Sequence, residues 1–517
     1  MAISLKELLK DVVGVVASDG VNQTASILVS EMTLDSRAVK AGYVFVALRG
    51  TQVHGLNYAK TAEQSGAVAV LWEYEENVDM PELSIPTIAI KELPASLGGI
   101  AARLYDYSSQ DLQIVGITGT DGKTSVSHFL AQAMNASNEL CSVIGTLGIG
   151  SPKSLEKATH TTPDVISVHR NLHRLSTRGS RCVAMEVSSH ALDQQRVAAV
   201  DFDVAVLTNL TRDHLDYHGT VEAYADAKMR LFVEHQPKAV VVNLNDAFGV
   251  RISETLQQSS LDNGPSVYRY AIAEDGLDAK NHSAKTILAT NAQFNHLGLS
   301  ADIGFQGETY HLQAGVLADF NLSNLLAAIG TLIALGTEPA EAVAMVSKVE
   351  TVPGRIEKVT VLNDEEAGFL TVVDYAHTAG ALESVLKALQ AHCTGRLICV
   401  FGCGGDRDKG KRPLMAATAE RLADVVIVTD DNPRFEDTKQ IMRGILSGFD
   451  QPENVLVQHD RAKAIREAVG MASNGDVVLV AGKGHEKFQL VQGKELPFDD
   501  RQEIRGALTE LAGRAVA

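Results

Sequence analysis

The sequence predicts an α/β protein of three domains, two of them built on parallel β-sheets. A length of 517 residues favours about three domains. Apolar runs alternate with amphipathic helical patterns along most of the chain, and the runs are continuous, as is typical of strands buried on both faces of a sheet. The predicted domains are residues 1–107, which are small and mixed α/β, residues 108–350, with a central parallel sheet, and residues 351–517, which are doubly wound and Rossmann-like.

Composition and charge argue against several classes of protein. The hydrophobic content is 45% and the net charge is −18, without a basic block, so no nucleic-acid partner is expected. A local site for a small anionic ligand is compatible with this charge. No apolar run approaches the ~18 residues that a membrane span needs. The first twenty residues, MAISLKELLKDVVGVVASDG, are interrupted by charges and are predicted to form a helix rather than a signal peptide.

The cysteines are odd in number and scattered, and no Cys-x-x-Cys pair is present. They lie mostly in apolar, strand-like runs, which indicates reduced core thiols and argues against a cysteine metal site. Reduced thiols lead to the expectation of a cytoplasmic protein. A monomer is also expected. The cysteines are Cys141, Cys182, Cys393, Cys399 and Cys403.

The first two domains contain clear strand and helix patterns. In the first domain, strands are predicted at 43–50 and 67–73, with a helix around 58–66. A break at 105–111 precedes the strand LQIVGIT, which opens the second domain. Further strands there are RCVAMEVS, FDVAVLTNL and KAVVVNL, and a polar insert at about 265–315 precedes the apolar helix FNLSNLLAAIGTLIALG. The third domain repeats the alternation, with the amphipathic helix ALESVLKALQAHC.

The segment GTDGKTS, residues 119–125, is a candidate phosphate-binding loop. It follows a buried strand and precedes a helix, which is the context that such a loop requires. Glycines let backbone N–H groups approach phosphates, Lys123 supplies a positive charge, and Thr124 is a candidate Mg²⁺ ligand. The alternative is a glycine turn with a surface lysine, but the order of strand, loop and helix favours the phosphate loop.

One further residue of the second domain is a candidate metal ligand. Glu186 ends the apolar run CVAME, where a carboxylate is costly without a cation. The alternative is a strand-end glutamate satisfied by hydrogen bonds, but the neighbouring phosphate loop favours a metal ligand. In a later segment, Asn209 and His214 follow another strand, and Tyr224 and Lys228 lie one helical turn apart. This last segment does not by itself reveal a mechanism.

Four predicted strands of the third domain end in polar or glycine-rich segments. Because parallel strands present their carboxyl ends at one edge of a sheet, these segments are expected to converge on one binding site. Arg407 and Arg434 could clamp a carboxylate, and Glu486 could bind an amine, as an amino-acid ligand would require. The alternative is that strand ends are simply polar loops. The segments are 374–377, 404–407, 431–434 and 482–486.

Taken together, the motifs resemble those of the Mur ligase family, over nearly the whole chain and in the expected order. The compact spacing of the phosphate loop is itself the form found in that family. The motifs are LDSR (34–37), GTDGKT (119–124), TTPD (161–164), EVSSHAL (186–192), TRDHLDYHGT…YADAKMRLF (211–232), FNLSNLLAA (320–328), VPGRIE (352–357), DYAHT (374–378), FGCGGDRDKGKRPLM (401–415), DNPR (431–434) and GKGHE (482–486).

The resemblance implies an ATP-dependent amide ligase of peptidoglycan precursor synthesis. LDSR, TTPD and DNPR point to the addition of meso-2,6-diaminopimelate to UDP-N-acetylmuramoyl-L-alanyl-D-glutamate, through an acyl phosphate. The residues that the resemblance assigns to the UDP-sugar dipeptide are Leu34, Ser36, Thr51, Gln52, Val53, His160, Thr161, Thr162, Ser188, Gln194 and Arg196. Those assigned to diaminopimelate are Arg407, Asp431, Asn432, Pro433, Arg434, Gly482 and Glu486.

The resemblance also implies the ATP and metal sites. The residues assigned to ATP are Gly119, Thr120, Asp121, Gly122, Lys123, Thr124, Ser125, Asn321, Arg355 and Asp374. Those assigned to Mg²⁺ are Thr124, Glu186, His214 and Lys228, and the catalytic set is Lys123, Glu186, His214 and Lys228. Lys228 matches a lysine that the family carbamylates with CO₂. A carbamate replaces a repelled ammonium by oxygen ligands, which Mg²⁺ prefers.

Three positions depart from the family pattern. Asp121 stands where asparagine is more usual, and a carboxylate near phosphates is unfavourable unless a metal compensates it or it points away. His160 stands where asparagine is expected, which puts that contact with the sugar dipeptide in doubt. Ala379 and Gly380 replace Pro-Asp after DYAHT, which is expected to loosen the turn behind the nucleotide.

Three other functions are compatible with part of this residue pattern. A lysine-adding ligase of the same fold is the nearest alternative, but lysine has no second carboxylate to pair with Arg434. A folylpolyglutamate synthase shares the fold but does not explain LDSR and DNPR. A non-catalytic nucleotide-binding homologue is motivated by Asp121, and the intact Lys123, Glu186, His214 and Lys228 argue against it.

Overall fold

The computed structural model describes residues 2–19, 25–50, 53–76, 78, 80–258, 264–273, 284–295, 298–361 and 368–516. These residues form two compact units. The first is Met1–Tyr270 with Gly330–Thr337, and the second is Ala271–Ile329 with Glu338–Ala517. The boundaries predicted at residues 107 and 350 stay a prediction.

The N-terminal part of the first unit is a five-stranded sheet packed with short helices. Its strand order is β2-β7-β6-β5-β4, with β4 to β7 parallel and β2 antiparallel to β7. The strands are β1 (Ile3–Ser4), β2 (Val15–Asp19), β3 (Leu28–Val29), β4 (Glu31–Thr33), β5 (Tyr43–Ala47), β6 (Ala69–Glu73) and β7 (Thr87–Ile90). The helices are α1 (Leu5–Leu8), α2 (Ala59–Gln64) and α3 (Leu93–Leu104).

The helix predicted for the first twenty residues is wrong beyond its first turn. Helix α1 ends at Leu8, and the following Asp11 and Gly14 adopt positive φ angles of 61° and 86°. The β-branched run from Val15 then pairs with β7. Local charge spacing could not reveal this, since the strand pairs with residues about 70 positions away.

A parallel sheet forms the rest of the first unit and confirms the predicted α/β class. The strand order is β11-β10-β9-β12-β8-β13-β14-β15, parallel from β9 to β15, with β10 and β11 antiparallel at the edge. The strands are β8 (Gln113–Thr118), β9 (Cys141–Gly145), β10 (Gly148–Ser151), β11 (Ser154–Glu156), β12 (Cys182–Glu186), β13 (Val204–Leu207), β14 (Ala239–Asn243) and β15 (Ser266–Ile272). The helices are α4 (Lys123–Ala136), α5 (Val165–Thr177), α6 (Ser189–Asp193), α7 (Leu215–His218), α8 (Val221–Val233) and α9 (Ala247–Gln258).

The polar insert predicted around 265–315 contains antiparallel strands that precede the predicted apolar helix. They are β16 (Thr286–Asn295), β17 (Gly298–Phe305) and β18 (Glu308–Ala314), paired in that order. The helix is α10 (Asp319–Ala334), and α11 (Pro339–Val346) follows it.

The C-terminal part of the second unit is a doubly wound sheet with the order β19-β20-β24-β21-β22-β23. All its strands are parallel except β19. The strands are β19 (Glu357–Lys358), β20 (Leu370–Asp374), β21 (Leu397–Phe401), β22 (Val425–Val428), β23 (Leu456–Val457) and β24 (Val477–Ala481), followed by the hairpin β25 (Phe488–Val491) and β26 (Lys494–Pro497). The helices are α12 (Ala379–Gln390), α13 (Lys411–Leu422), α14 (Thr438–Leu446), α15 (Arg461–Met471) and α16 (Asp500–Val516).

Buried apolar side chains cover both faces of the C-terminal sheet, as the continuous runs predicted. On one face Leu382, Leu386 and Leu389 of α12 pack against Cys399 and Leu479. On the other face, α15 and α16 pack against alternate residues of the same strands. All five cysteines have free thiols, four of them buried. Within the described residues, no helix is both long enough and apolar enough to cross a bilayer.

His128 of α4 is a buried imidazole that burial keeps neutral. It is 2% exposed, and its Nδ1 has no hydrogen-bond partner among the described residues. Burial lowers the pKa of His128 from 6.5 to about 4. Below pH 6.5 the unfolded chain therefore binds a proton that the folded chain does not, so the free energy of unfolding falls between pH 6.5 and about 4.

We expect His128→Leu to remove this pH dependence, which amounts to about 3 kcal/mol over the window. Unfolding free energies of the first unit, measured from pH 7 to 4, check this. His160→Leu, at an exposed histidine of the same unit, is the control and should keep the wild-type slope. Parallel curves for wild type and His128→Leu would refute the assignment.

Candidate active site

The candidate phosphate loop lies between β8 and α4, and its conformation requires glycine at two positions. Gly119 has φ +148°, and a Cβ there would lie 1.8 Å from Thr208 Oγ1. Gly122 has φ +83° and caps the first residue of α4, Lys123. The backbone therefore opens at the amino end of a 14-residue helix, where N–H groups favour anions.

The end of the neighbouring strand β13 holds this loop in place. Thr208 Oγ1 donates to Asp121 O at 2.6 Å, and Asp121 N donates to Asn209 Oδ1 at 3.0 Å. Thr120 N donates to Asn209 O at 2.9 Å. Thr208 was not predicted to belong to the site, and Asn209 was noted only as a residue that follows a strand, without a role at this loop. Their position directly after an apolar strand was the available signal, but only the pairing of β13 with β8 shows that they reach this loop.

Asp121 keeps its carboxylate in solvent. The side chain is exposed and has no hydrogen bond or ion pair with any described residue, while its backbone N–H and carbonyl are both bound by Asn209 and Thr208. The structure therefore uses residue 121 through its backbone.

Two lysines converge on the carbonyl oxygen of Gly119. Lys123 Nζ and Lys228 Nζ each donate to it at 2.8 Å, and Lys123 Nζ also donates to Thr120 O at 2.7 Å. Lys228 is 1% exposed. Burial, and secondly the charge of Lys123, lower the pKa of Lys228 well below its ordinary value. The site thus favours an uncharged amine at residue 228.

Glu186 is a buried carboxylate at the end of β12, surrounded by neutral donors. It is 1% exposed, and its Oε2 accepts from Thr124 Oγ1 and Thr146 Oγ1, both at 3.0 Å. Its Oε1 accepts from Thr146 N at 2.9 Å. The facing residue is Gly145, where a Cβ would lie 2.1 Å from Oε1. Among the described residues Glu186 has no cationic partner.

His214 joins this neighbourhood through aromatic contacts. Its ring lies 6.0 Å from that of Tyr224, and Lys228 Nζ lies 4.6 Å from the centre of the Tyr224 ring. His214 is half exposed and has φ +51°. The ring of His190, which was not predicted, lies 4.9 Å from that of His214. No three His, Cys, Asp or Glu side chains of the described chain form a ready-made metal site.

The donor set fits a hard divalent cation nonetheless. Thr124 and Glu186 contribute oxygen atoms that lie 3.0 Å apart, and the buried Glu186 side chain has no cationic partner among the described residues. These residues would hold Mg²⁺ beside the phosphate loop.

The residues predicted for the sugar dipeptide are partly connected in the structure. Thr162 Oγ1 donates to Glu186 O at 2.7 Å and accepts from Ser188 N at 3.1 Å, while Arg196 donates to Thr162 O at 3.0 Å and to Gln194 Oε1 at 2.6 Å. Thr161 shares a hydrogen bond of 3.1 Å with Thr146. This segment therefore adjoins the buried carboxylate.

The remaining residues predicted for the sugar dipeptide lie elsewhere in the first unit. Ser36 is buried in a 3-10 helix, Leu34 is half-buried, and Val53 and His160 are exposed. His160 Nδ1 contacts Thr159 Oγ1 at 3.2 Å. Thr51 and Gln52 lie outside the described residues.

The residues predicted near adenine and ribose belong to the second unit. Asp374 ends β20, and its two carboxylate oxygens accept from Ile356 N and Ala376 N, both at 2.7 Å. Burial raises the pKa of Asp374. The guanidinium of Arg355 lies 5.7 Å from the centre of the Tyr375 ring, and Asn321 is buried with its Nδ2 donating to Leu317 O.

The four polar strand endings of the third predicted domain meet as predicted. Strands β20, β24, β21 and β22 are parallel neighbours in that order, so their carboxyl ends share one edge. Asn432 Nδ2 donates to Glu486 Oε2 at 2.9 Å, and Arg434 Nη1 donates to Gly405 O at 2.8 Å. Gly482 approaches Asp431, Pro433 is buried, and Arg407 is exposed. The edge thus carries guanidinium and carboxylate groups together.

Lys483 is the main residue at this edge that was not predicted to belong to the site. Its side chain is fully buried, and Nζ donates to Asn432 Oδ1 at 3.0 Å and to Glu486 Oε2 at 3.2 Å. The motif GKGHE contained it, but a lysine in a loop ordinarily lies in solvent.

Family models match three consecutive parts of this chain. The Mur ligase family catalytic domain matches residues 28–105, the Mur ligase middle domain residues 117–332, and the Mur ligase glutamate ligase domain residues 354–484. The chain belongs to the Mur ligase family.

Relatives of this Mur ligase share its full length. It is 45% identical over 484 residues to a UDP-N-acetylmuramoyl-L-alanyl-D-glutamate–2,6-diaminopimelate ligase of Ectopseudomonas mendocina, covering 94% of this chain and 96% of the relative. It is 43% identical over 515 residues to the enzyme of that name from Xanthomonas campestris, covering 100% and 99%. A solved structure of a ligase with that name is 34% identical, with a TM-score of 0.74, covering 99% of this chain and 100% of the other.

In this Mur ligase, Gly145→Ala should displace the Glu186 carboxylate. The three atoms nearest to the added methyl would all belong to the Glu186 side chain, at 2.1 to 2.9 Å, and residue 145 is not in the left-handed region. We expect the rate of phosphate release to fall at least about tenfold, with little change in melting temperature.

Gly99→Ala is the matched control, since a Cβ at this exposed helical glycine meets nothing within 4 Å. It should keep full activity. Wild-type activity in Gly145→Ala would show that the position of Glu186 is not critical.

Proposed function

We propose that this Mur ligase adds meso-2,6-diaminopimelate to UDP-N-acetylmuramoyl-L-alanyl-D-glutamate and converts ATP to ADP and phosphate. Identity of 43–45% over nearly the whole chain to relatives with that name carries the proposal. The geometry supports this proposal. A phosphate loop with a buried carboxylate lies in the first unit, and a sheet edge whose charged groups suit an amino-acid ligand lies in the second. The reduced thiols fit an enzyme of the cytoplasm.

In the first step the γ-carboxylate of the dipeptide's D-glutamate attacks the γ-phosphorus of ATP. An O–P bond forms, the bond to the β,γ-bridging oxygen breaks, and ADP leaves with an acyl phosphate as the product. The backbone N–H groups at the start of α4 and the Lys123 ammonium stabilise the negative charge on the phosphoryl oxygens. Thr162, Ser188 and Arg196 orient the sugar dipeptide beside Glu186.

Thr124, Glu186, His214 and the modified Lys228 would hold Mg²⁺, which would neutralise charge on the phosphates. The modification is a carbamate. The uncharged Lys228 amine attacks CO₂, a C–N bond forms, and one proton passes to solvent, so the side chain becomes an anion. The lowered pKa of Lys228 favours this reaction, because it increases the fraction of neutral amine, and an ammonium has no lone pair to attack with.

In the second step the amine of diaminopimelate attacks the acyl phosphate carbon. A tetrahedral intermediate forms, phosphate leaves, and the amine loses a proton as the amide is made. Arg434 and Arg407 bind the carboxylate at the amino-acid centre of diaminopimelate that does not react. Glu486, Asp431 and Asn432 bind the ammonium and carboxylate of the same centre. The protein's part is mainly positioning and electrostatics.

Paired amino-acid assays test the substrate. Phosphate release is measured with ATP, UDP-MurNAc-L-Ala-D-Glu and either meso-diaminopimelate or L-lysine. We expect release with diaminopimelate and little with lysine, because lysine leaves Arg434 without a carboxylate partner. Release with lysine alone would replace the proposed substrate, and none with either would refute the ligase.

Lys228→Ala tests the proposed carbamate. We expect activity to fall by roughly 10–100-fold or more, since the alanine provides no oxygen ligand. Acetate or formate, which can place a carboxylate in the vacated space, should restore part of it. Lys238→Ala, at an exposed lysine of the same unit, is the control and should remain active. Full activity of Lys228→Ala without added carboxylate would remove Lys228 from the metal site.

A further inference from the structure

The buried ammonium of Lys483 stands directly behind the edge that binds the amino acid in the proposed function. Lys483 follows β24 and is 0% exposed. A buried ammonium is costly unless acceptors surround it. The acceptors are Asn432 Oδ1 at 3.0 Å and Glu486 Oε2 at 3.2 Å, with Asp431 Oδ1 at 3.9 Å. All three belong to the proposed diaminopimelate set.

Lys483 fixes which way the Asn432 amide faces. An ammonium has no acceptor, so the amide oxygen must point toward it. Leu490 N donates to the same oxygen at 2.9 Å, which leaves Nδ2 directed at Glu486 Oε2, at 2.9 Å. A flipped amide would set two donors against Lys483 and Leu490 and would turn its oxygen toward a carboxylate.

Lys483 also divides the two oxygens of Glu486 between different partners. Oε2 accepts from both Lys483 and Asn432, while Oε1 has no hydrogen bond among the described residues. Glu486 is partly exposed, at 23% for its side chain. Oε1 is therefore the oxygen that remains for an incoming ammonium. The second Asn432 Nδ2 hydrogen, likewise without a partner in the described chain, remains for a carboxylate oxygen.

A second buried pair makes the base of this arrangement rigid. Arg461 and Asp500 are both 0% exposed and paired at 2.7 Å, and Arg461 Nη2 donates at 3.0 Å to Ala481 O. Ala481 is the last residue of β24, two positions before Lys483. This hydrogen bond from the Arg461 guanidinium therefore fixes the end of the strand that precedes Lys483.

We propose that Lys483 is a positioning residue that orients Asn432 and Glu486 so that their free donor and acceptor match the carboxylate and ammonium of one amino-acid centre. This rests on the proposed function for the identity of the substrate. Lys483 does not touch the substrate itself. Its loss should therefore weaken binding of the amino acid and leave ATP binding unchanged.

Lys483→Met, which keeps the unbranched stem without the charge, tests this in the full-length enzyme. We expect KM for diaminopimelate to rise about tenfold or more, with KM for ATP changed less than about twofold. Lys483→Gln, which retains an N–H donor, should show a smaller rise. Lys439→Met, at an exposed lysine of the same unit, is the control and should change neither constant.

A double-mutant cycle separates positioning from a general structural role. If Lys483 acts through Asn432, then Lys483→Met should add little to the rise in KM that Asn432→Ala already causes. Equal rises in both KM values, additive effects in the cycle, or an unchanged KM for diaminopimelate would each overturn the proposal. If wild type does not use diaminopimelate, it is the proposed function that fails. If Lys483→Met does not fold, Lys483→Gln in the same cycle gives the answer.

Discussion

The convergence of two lysines on the Gly119 carbonyl is the contact on which the rest of the first site depends. One buried amine and one loop lysine share an acceptor, so they cannot both be charged without repulsion. Lys123 must keep its charge to serve phosphates, and the buried Lys228 is the one whose pKa falls. In the proposed function, Lys123 of this pair provides the cation for the nucleotide and Lys228 provides the amine that is modified.

Each of the two proposed sites contains a buried ionisable group, an acid in the first unit and a base in the second. In the first unit the buried carboxyl group of Glu186 accepts hydrogen bonds from neutral donors, and it has no cationic partner among the described residues. In the second unit a buried cation, Lys483, is satisfied by the side chains that it orients. In both cases the residue that sets the geometry lies at a strand end, where the sheet fixes the backbone and the following loop remains free to carry a binding group.

The sheets and their polar edges could be predicted from the sequence, because continuous apolar runs and the polar segments after them are local signals. The meeting of 374–377, 404–407, 431–434 and 482–486 followed from parallel pairing alone. Contacts that depend on strand order or on burial could not be predicted in this way. Thr208 and Asn209 matter because β13 lies beside β8, and Lys483 matters because it is enclosed. Asp121 looked like a departure, yet the loop uses only its backbone.

The proposed function requires that the amine of Lys228 is held as a carbamate. Carbon-13 NMR of the enzyme equilibrated with ¹³C-labelled bicarbonate measures this directly. We expect one protein-bound carbamate resonance that disappears in Lys228→Ala and persists in Lys238→Ala. A wild-type spectrum without that resonance at saturating bicarbonate, or one that is unchanged by Lys228→Ala, would contradict it.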